Sequence, residues 1–211
     1  LAYESAAAEL LGSAHRYRCV FEWLRAASNS TAVELGFGSP RLLTALSQGC
    51  KAYTIVDVVD RTGETDLPAN VLFQQADLSS DFPFADAEFD CVIAMMIVEH
   101  LFDPFHSFRE IARITAPGGK VFVNLPNIGS VRCRLELLAG RMPVTSSRDW
   151  FAKREWDGNH LHYFTVADTL RLAEVSGLHL EAIHPVGRFP KLKRLRPSLL
   201  CHEISYQFRR A

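Results

Sequence analysis

An α/β sandwich of three layers, with a mostly parallel sheet in the middle, is the fold this sequence predicts. Two patterns lead there. Short apolar runs alternate with helical or polar stretches from residue 31 to residue 125, as parallel strands joined by crossovers do. Gly36, Asp57, Asp77 and Met95 fall at or just past the ends of successive runs. In such a sheet the carboxyl ends of the strands form one rim, and ligands sit there.

Taken in order, residues 1–12 and 15–27 read as helices. Tyr17, Val20, Phe21 and Leu24 fall at i, i+3, i+4 and i+7 and share one face, which fits either a packing helix or a lid. Ala32–Leu35 reads as a strand, Glu34-Leu35-Gly36-Phe37-Gly38 as a tight turn, and Pro40–Ser47 as a helix. Ser39 and Pro40 suit the N-cap and first helical position. Ala52–Val56 is a strand ending in Asp57, and residues 58–70 have room for only a short helix. Val71–Gln74 and Phe89–Met95 are strands, Asp103-Pro104 opens a helix, and Pro117-Gly118-Gly119 turns into the strand Lys120–Leu125.

Residues 126–164 break this rhythm. Ser130 suits a helix cap, with Val131, Leu135 and Leu138 on one face and Gly140 as the stop. A long irregular stretch inside a compact domain is usually a functional loop. Thr165 and Asp168 form a capping box for a further helix that stops at Gly177, and Leu178–Ile183 and Ser198–Phe208 read as the last two strands. The expected organisation is N-terminal helices over 1–28, a packing layer or a lid, a binding core over 29–125, an acceptor-side lid over 126–164, and a closing helix with two strands over 165–211.

Composition narrows the class. The 211 residues are 48% hydrophobic, enough for one sizeable core. The longest apolar run, Cys91 to Val98, is eight residues, far short of a membrane span. A net charge of −1 gives no global reason to expect nucleic acid. The five cysteines are scattered with no C-x-x-C pair, which argues against a disulfide framework and for a reducing compartment. No charged-then-apolar leader precedes the first helix, so a cytoplasmic location is expected. Oligomeric state is left open.

The rim carries a specific chemistry. Asp57 follows Gly38 by 19 residues at a strand end, a placement that suits two vicinal ribose hydroxyls. Asp77 ends the next strand and suits an exocyclic amine. Glu34 stands before the glycines, a poor neighbour for a pyrophosphate and a good one for an ammonium group. The pocket therefore looks built for a nucleoside bearing an amino acid.

These residues resemble a known family. Glu34-x-Gly36-x-Gly38, Asp57, Ala76-Asp77-Leu78, Phe89-Asp90-Cys91-Val92-Ile93, Glu99-His100-Leu101 and Pro117-Gly118-Gly119-Lys120 look like the class I S-adenosylmethionine-dependent methyltransferases, over about Val33 to Leu125. The resemblance implies a Rossmann-like, seven-stranded sheet with an antiparallel last strand, and S-adenosylmethionine as cofactor with S-adenosylhomocysteine as product. It implies that Gly36 and Gly38 pass close to the methionine part, that Asp57 holds the ribose, that Asp77 and the Leu78 backbone read the adenine, and that Met95 lies against the cofactor. The chain departs from the family at Pro40, where a third glycine is common. A second resemblance, in Leu137 to Thr145, Trp150 and Asn159-His160-Leu161-His162, is to the MetW-like branch associated with methionine biosynthesis. It offers the alternative of a non-catalytic partner protein.

Methyl transfer from a sulfonium needs mainly alignment in a dry pocket, with a base only where the acceptor must lose a proton. His100 is the first candidate, His160 and His162 the next, and Tyr163 is placed to orient a substrate. His160 and His162, two apart on an extended segment, are expected to face one side. No third ligand is evident beside them, and no metal is expected. Arg188, Lys191, Lys193, Arg194 and Arg196 form a basic run, either a solvated loop or a contact for an acidic substrate or phosphate-bearing carrier. The expected acceptor is a small molecule or saccharide, methylated at oxygen or nitrogen.

Overall fold

The computed structural model describes residues 5–8, 10, 15–64, 66–147 and 149–211. Seven strands make one sheet: β1 (Thr31–Leu35), β2 (Ala52–Asp57), β3 (Val71–Gln75), β4 (Phe89–Met95), β5 (Thr115–Pro126), β6 (Leu178–Pro185) and β7 (Glu203–Arg210). Their spatial order is β3-β2-β1-β4-β5-β7-β6. Strands β1 to β5 pair in parallel, and β7 runs antiparallel to both β5 and β6. The order reverses between β1 and β4, so the crevice for a ligand lies at their carboxyl ends.

The pleat sorts side chains onto two cores. Val33, Leu35, Val92, Ala94, Val121 and Val123 point to one face, where Phe108 and Ile111 of α3 (Pro104–Ile114) and Leu172 and Ala173 of α6 (Val166–Val175) cover them. Ala32, Ile55, Cys91, Ile93 and Phe122 point to the other, under Val20, Phe21 and Leu24 of α1 (Arg18–Ala26) and Leu42 and Leu43 of α2 (Pro40–Ser47). Both central strands are buried on both faces, which is why they read as continuous apolar runs. Ala6 and Leu10 join the second core; residues 5–8 and 10 are helical, and the rest of the helix expected over 1–12 lies outside the described residues. No helix among the described residues is long and apolar enough to cross a membrane.

Several boundaries differ from the sequence reading. Helix α1 begins at Arg18, with Tyr17 at the N-cap position, and not at residue 15. Strand β5 begins at Thr115, because its pairing with β4 resumes on the far side of the Pro117-Gly118-Gly119 bend. The last strand starts at Glu203, not Ser198. Pro197–Leu200 forms a helical turn, whose Ser198 and Cys201 carbonyls accept hydrogen bonds from the buried Asn127 amide at 3.0 and 2.8 Å. The helix after Ser130, α4 (Val131–Leu138), forms as expected, but its stripe faces outward. Val131, Leu135 and Leu138 are exposed, and only Cys133 is buried.

The crossovers flanking β3 have no α-helix. The one before it holds a single 3-10 turn, Thr62–Glu64. The one after it is clasped by α3: Glu110 accepts the Phe82 N–H at 2.8 Å, and Arg113 donates to the Phe82 and Phe84 carbonyls, Asp86 and Glu110. The Arg113 guanidinium holds the Glu110 carboxyl below its ordinary range, against the opposing effect of burial, and the Phe82 N–H adds to the lowering. A carboxyl with a lowered folded-state pKa stabilises the fold above its unfolded value of about 4.3 and loses that contribution as pH falls through the folded value. Glu110→Gln is therefore expected to lower the unfolding free energy by about 1–2 kcal/mol at pH 7. The difference should shrink towards zero below about pH 4, as read by urea denaturation at both pH values.

Candidate active site

The strand ends align as the register demands. The Gly36 N–H donates to the Val56 carbonyl at 2.8 Å and the Ala76 N–H to the Asp57 carbonyl at 3.0 Å, so Gly36, Asp57 and Asp77 share one rim. Gly36 has φ +81°, a backbone that only glycine adopts without strain. Asp57 is half-buried and accepts the Phe37 N–H at 2.7 Å and the Val59 N–H at 2.9 Å, one on each oxygen. That leaves lone pairs on both oxygens. Asp77 is exposed and accepts the Ser79 N–H at 2.8 Å. Leu78 buries its side chain in the core and so offers the rim only its backbone. Met95 is buried at the end of β4, and Met96 follows with φ +56°. A cavity of about 370 Å³ opens here, lined by Arg16, Tyr17, Gly38, Ser39, Met95 and Met96 among others. Ser39 takes the N-cap position of α2 without a side-chain bond to the helix.

Glu34 has a different setting from the one expected. Alternation along β1 sends it to the face that α1 and α2 cover, and it is 3% exposed. Its two oxygens accept the hydroxyls of Tyr17 at 2.5 Å and Tyr53 at 2.7 Å, and the Gly38 N–H also bonds to it. Burial raises its pKa, against the lowering by these bonds. The Tyr17 hydroxyl lies over Gly38, where an added Cβ would stand only 2.4 Å from it. Neither tyrosine was singled out as polar from sequence. The signal was a tyrosine on an apolar helix face, whose O–H must find a partner when buried.

Across the crevice, the 3-10 turn Val98–His100 follows β4. Residues 126–164 leave and rejoin the sheet side by side, through a parallel bridge of Asn127 with Phe164. Within them, the N–H groups of Leu161 and His162 both donate to the Glu99 carbonyl, at 2.8 and 3.2 Å. This docks His160 beside His100, with ring centroids 4.8 Å apart. His162 has its own contact: its Nε2 donates to the Phe102 carbonyl at 3.0 Å, while Leu161 and Tyr163 are exposed. A turn at Asp157, Gly158 and Asn159, all at positive φ, precedes this segment.

Hydrogen bonds fix the imidazole tautomers. Asp157 is fully buried and accepts the N–H and O–H of both Thr145 and Ser146. Burial opposes its ionisation, yet together these bonds lower its pKa. Thr145 gives its only proton to Asp157 at 2.6 Å, so the His160 Nδ1 at 2.7 Å from the same oxygen must be the donor. The His100 Nδ1 faces the Asn159 carbonyl at 3.2 Å and must donate as well. In its neutral form each ring has its lone pair on Nε2. Burial, with His100 adding to it, lowers the pKa of His160 and favours the neutral ring. Glu99 itself is fully buried, and neither carboxylate oxygen has a hydrogen-bond partner. Burial pushes its pKa up to about 8, partly countered by its own backbone N–H and then by the charge of Arg16.

The basic run does not act as one patch. Lys193 donates to the Val186 carbonyl at 2.7 Å, and the Arg188 guanidinium lies over the neighbouring Phe189 ring. Lys191 and Arg194 line a separate cavity of about 240 Å³ with Arg18 and His184.

Comparison with known proteins adds to this geometry. Residues 33–123 match the family described as a methyltransferase domain. A 27-O-demethylrifamycin SV methyltransferase of Amycolatopsis mediterranei is 37% identical over 62 residues, 29% of this chain and 22% of that protein. A ubiquinone biosynthesis O-methyltransferase of Aeromonas salmonicida is 30% identical over 93 residues, 43% of this chain and 36% of that protein. The chain thus spans well under half the length of these relatives. An S-adenosylmethionine-dependent methyltransferase from Mesorhizobium loti has the same fold, with a TM-score of 0.69 at 18% identity over 95% of this chain and 100% of the other. Residues 33–123 thus match a methyltransferase domain, and the sheet that carries them has the fold of solved S-adenosylmethionine-dependent methyltransferases.

Proposed function

We propose that this chain transfers a methyl group from S-adenosylmethionine to an oxygen or nitrogen of a small-molecule or saccharide acceptor. The observation that carries the reading is the rim at the switch point: Gly36 at φ +81°, Asp57 with free lone pairs and the cavity beside Met95. A cavity of about 370 Å³ falls in the range of small-molecule sites. When bound, the cofactor supplies a methyl group already activated as a sulfonium.

The remaining work falls to the chain's own side chains. Gly36 and Gly38 let backbone approach the methionine part. Asp57 accepts the ribose hydroxyls, and Asp77 with the Leu78 N–H reads the adenine edge. Met95 closes the apolar side. Glu34 holds the turn and Tyr17 in register, so that residues 15–17 form one wall of the site. His100 and His160, each with Nδ1 engaged and Nε2 left for another partner, suit an acceptor that must lose a proton. His162 anchors the acceptor-side lid to Phe102.

Two outcomes are expected. In calorimetry, S-adenosylhomocysteine should bind the full chain, and Asp57→Ala should weaken that binding about tenfold or more, ~1.4 kcal/mol. A wild-type chain that binds no S-adenosylhomocysteine would end the reading. Asp157→Ala strips four buried bonds from the lid. Backbone amides of residues 145–162 should then exchange with solvent at least about tenfold faster while those of β1 and β4 keep their protection.

A further inference from the structure

Outside the cofactor rim, the strongest unexplained feature is a carboxylate. Glu99 is fully buried and both of its oxygens lack a partner. A buried polar group left unpaired costs several kcal/mol or marks a site that something else completes. Its two neighbours in the cluster are prepared in a matching way. His100 and His160 each commit Nδ1 to a fixed acceptor, the Asn159 carbonyl and Thr145, which leaves Nε2 as the position for a ligand bond. Thr145 is in turn held by Asp157. Imidazoles oriented from behind by a carbonyl or a carboxylate relay are typical of metal-ligating histidines. One ligand atom from each of Glu99, His100 and His160 lies within 4.8 Å of the others. Ligands of a tetrahedral cation stand roughly 3.4 Å apart, so rotamer adjustments of about an ångström close the set. The other grouping among the described residues, Asp81, His106 and Glu110, has Glu110 already clasped by Arg113.

We propose that Glu99, His100 and His160 form a divalent-cation site of the zinc class, beside the methyl-donor cavity, with an open position for an acceptor hydroxyl. Two imidazole nitrogens and one carboxylate oxygen suit zinc better than magnesium, which prefers oxygen ligands. Three protein ligands leave a fourth position vacant, the arrangement of catalytic and not structural zinc. Arg16 links the two halves: it lines the cofactor cavity and its charge acts on Glu99. The use of the cation rests on the methyltransferase reading above; its binding does not. A hydroxyl held at the open position is acidified. Its proton leaves to bulk water, the new bond is oxygen to methyl carbon, and the bond that breaks is carbon to sulfur, whose electron pair stays on sulfur. Oxygen methylation then needs no protein base, and the two histidines act as ligands.

The test uses the full chain, stripped with a chelator and dialysed, then titrated with Zn²⁺ in a calorimeter and, separately, with Co²⁺ followed by visible absorption. One ion per chain is expected, with a cobalt spectrum of low-coordinate intensity. Glu99→Gln and His100→Ala should each weaken Zn²⁺ binding about a hundredfold; His100 is only half-buried, so its variant keeps the test open should the buried Glu99 variant fail to fold. Stoichiometric binding unaffected by both variants, or no binding by the wild type, overturns the site. S-adenosylhomocysteine affinity measured on the same samples separates the two readings: intact affinity without zinc binding removes only the cation, and zinc binding without that affinity removes only the methyl donor.

Discussion

A carboxylate buried at the end of β1 governs the geometry of the cofactor side. Glu34 would be costly there without partners, since a buried charge lacking hydrogen bonds is among the least favourable groups in a fold. Tyr17, Tyr53 and the Gly38 N–H supply those bonds from three different segments. Each charge-assisted bond contributes about 1.5–3 kcal/mol, so the three together offset much of the desolvation. The consequence is positional. Strand β2, the glycine turn and the start of α1 are tied to one point, and residues 15–17 cannot leave the turn without orphaning the carboxylate.

The acceptor side is organised by the same principle around Asp157. Its carboxylate is fully buried and saturated by Thr145 and Ser146. It also holds a backbone in which Asp157 and Asn159, neither of them glycine, take positive φ, a strain of about 1–3 kcal/mol each. That strained turn is what delivers the Leu161 and His162 N–H groups to the Glu99 carbonyl and sets His160 against His100. The two networks hang from the segments after β1 and β4, the strands that flank the reversal of sheet order. The crevice and its walls therefore share one origin.

What the sequence made legible follows from local rules. The first four strands, the glycine turn at 36–38, the acids at strand ends and the caps at Asp103, Ser130 and Thr165 each depend on a few neighbouring residues, and the structure has them at the expected places. The misreadings depend on distant partners. Residues 198–202 have strand-like composition, but the Asn127 amide captures their carbonyls. The partner of Glu34 was not legible either, because Tyr17 is 17 residues away on a face that sequence alone shows as apolar. Glu99 showed no sign in sequence of being unpartnered, because that is a property of everything packed around it.

This division also accounts for where similarity to other proteins stops. The matched family segment ends at residue 123, within β5, just before the chain leaves the sheet. Up to that point each residue is constrained twice, by its neighbours in the strand and by the register of the next strand. Beyond it, residues 127–163 are held to the sheet by the Asn127–Phe164 bridge and to the Val98–His100 turn by two backbone bonds to Glu99. Those anchors fix where the lid docks and leave the residues between them free to differ, as loops on a rigid scaffold generally are. The rim at the strand ends is thus set by the sheet, whereas the packing of residues 127–163 against it is set by a few docked side chains. Of those, His160 is the one whose orientation depends on the whole segment, through Thr145 and Asp157, so the acceptor role proposed for His160 depends on how that segment packs.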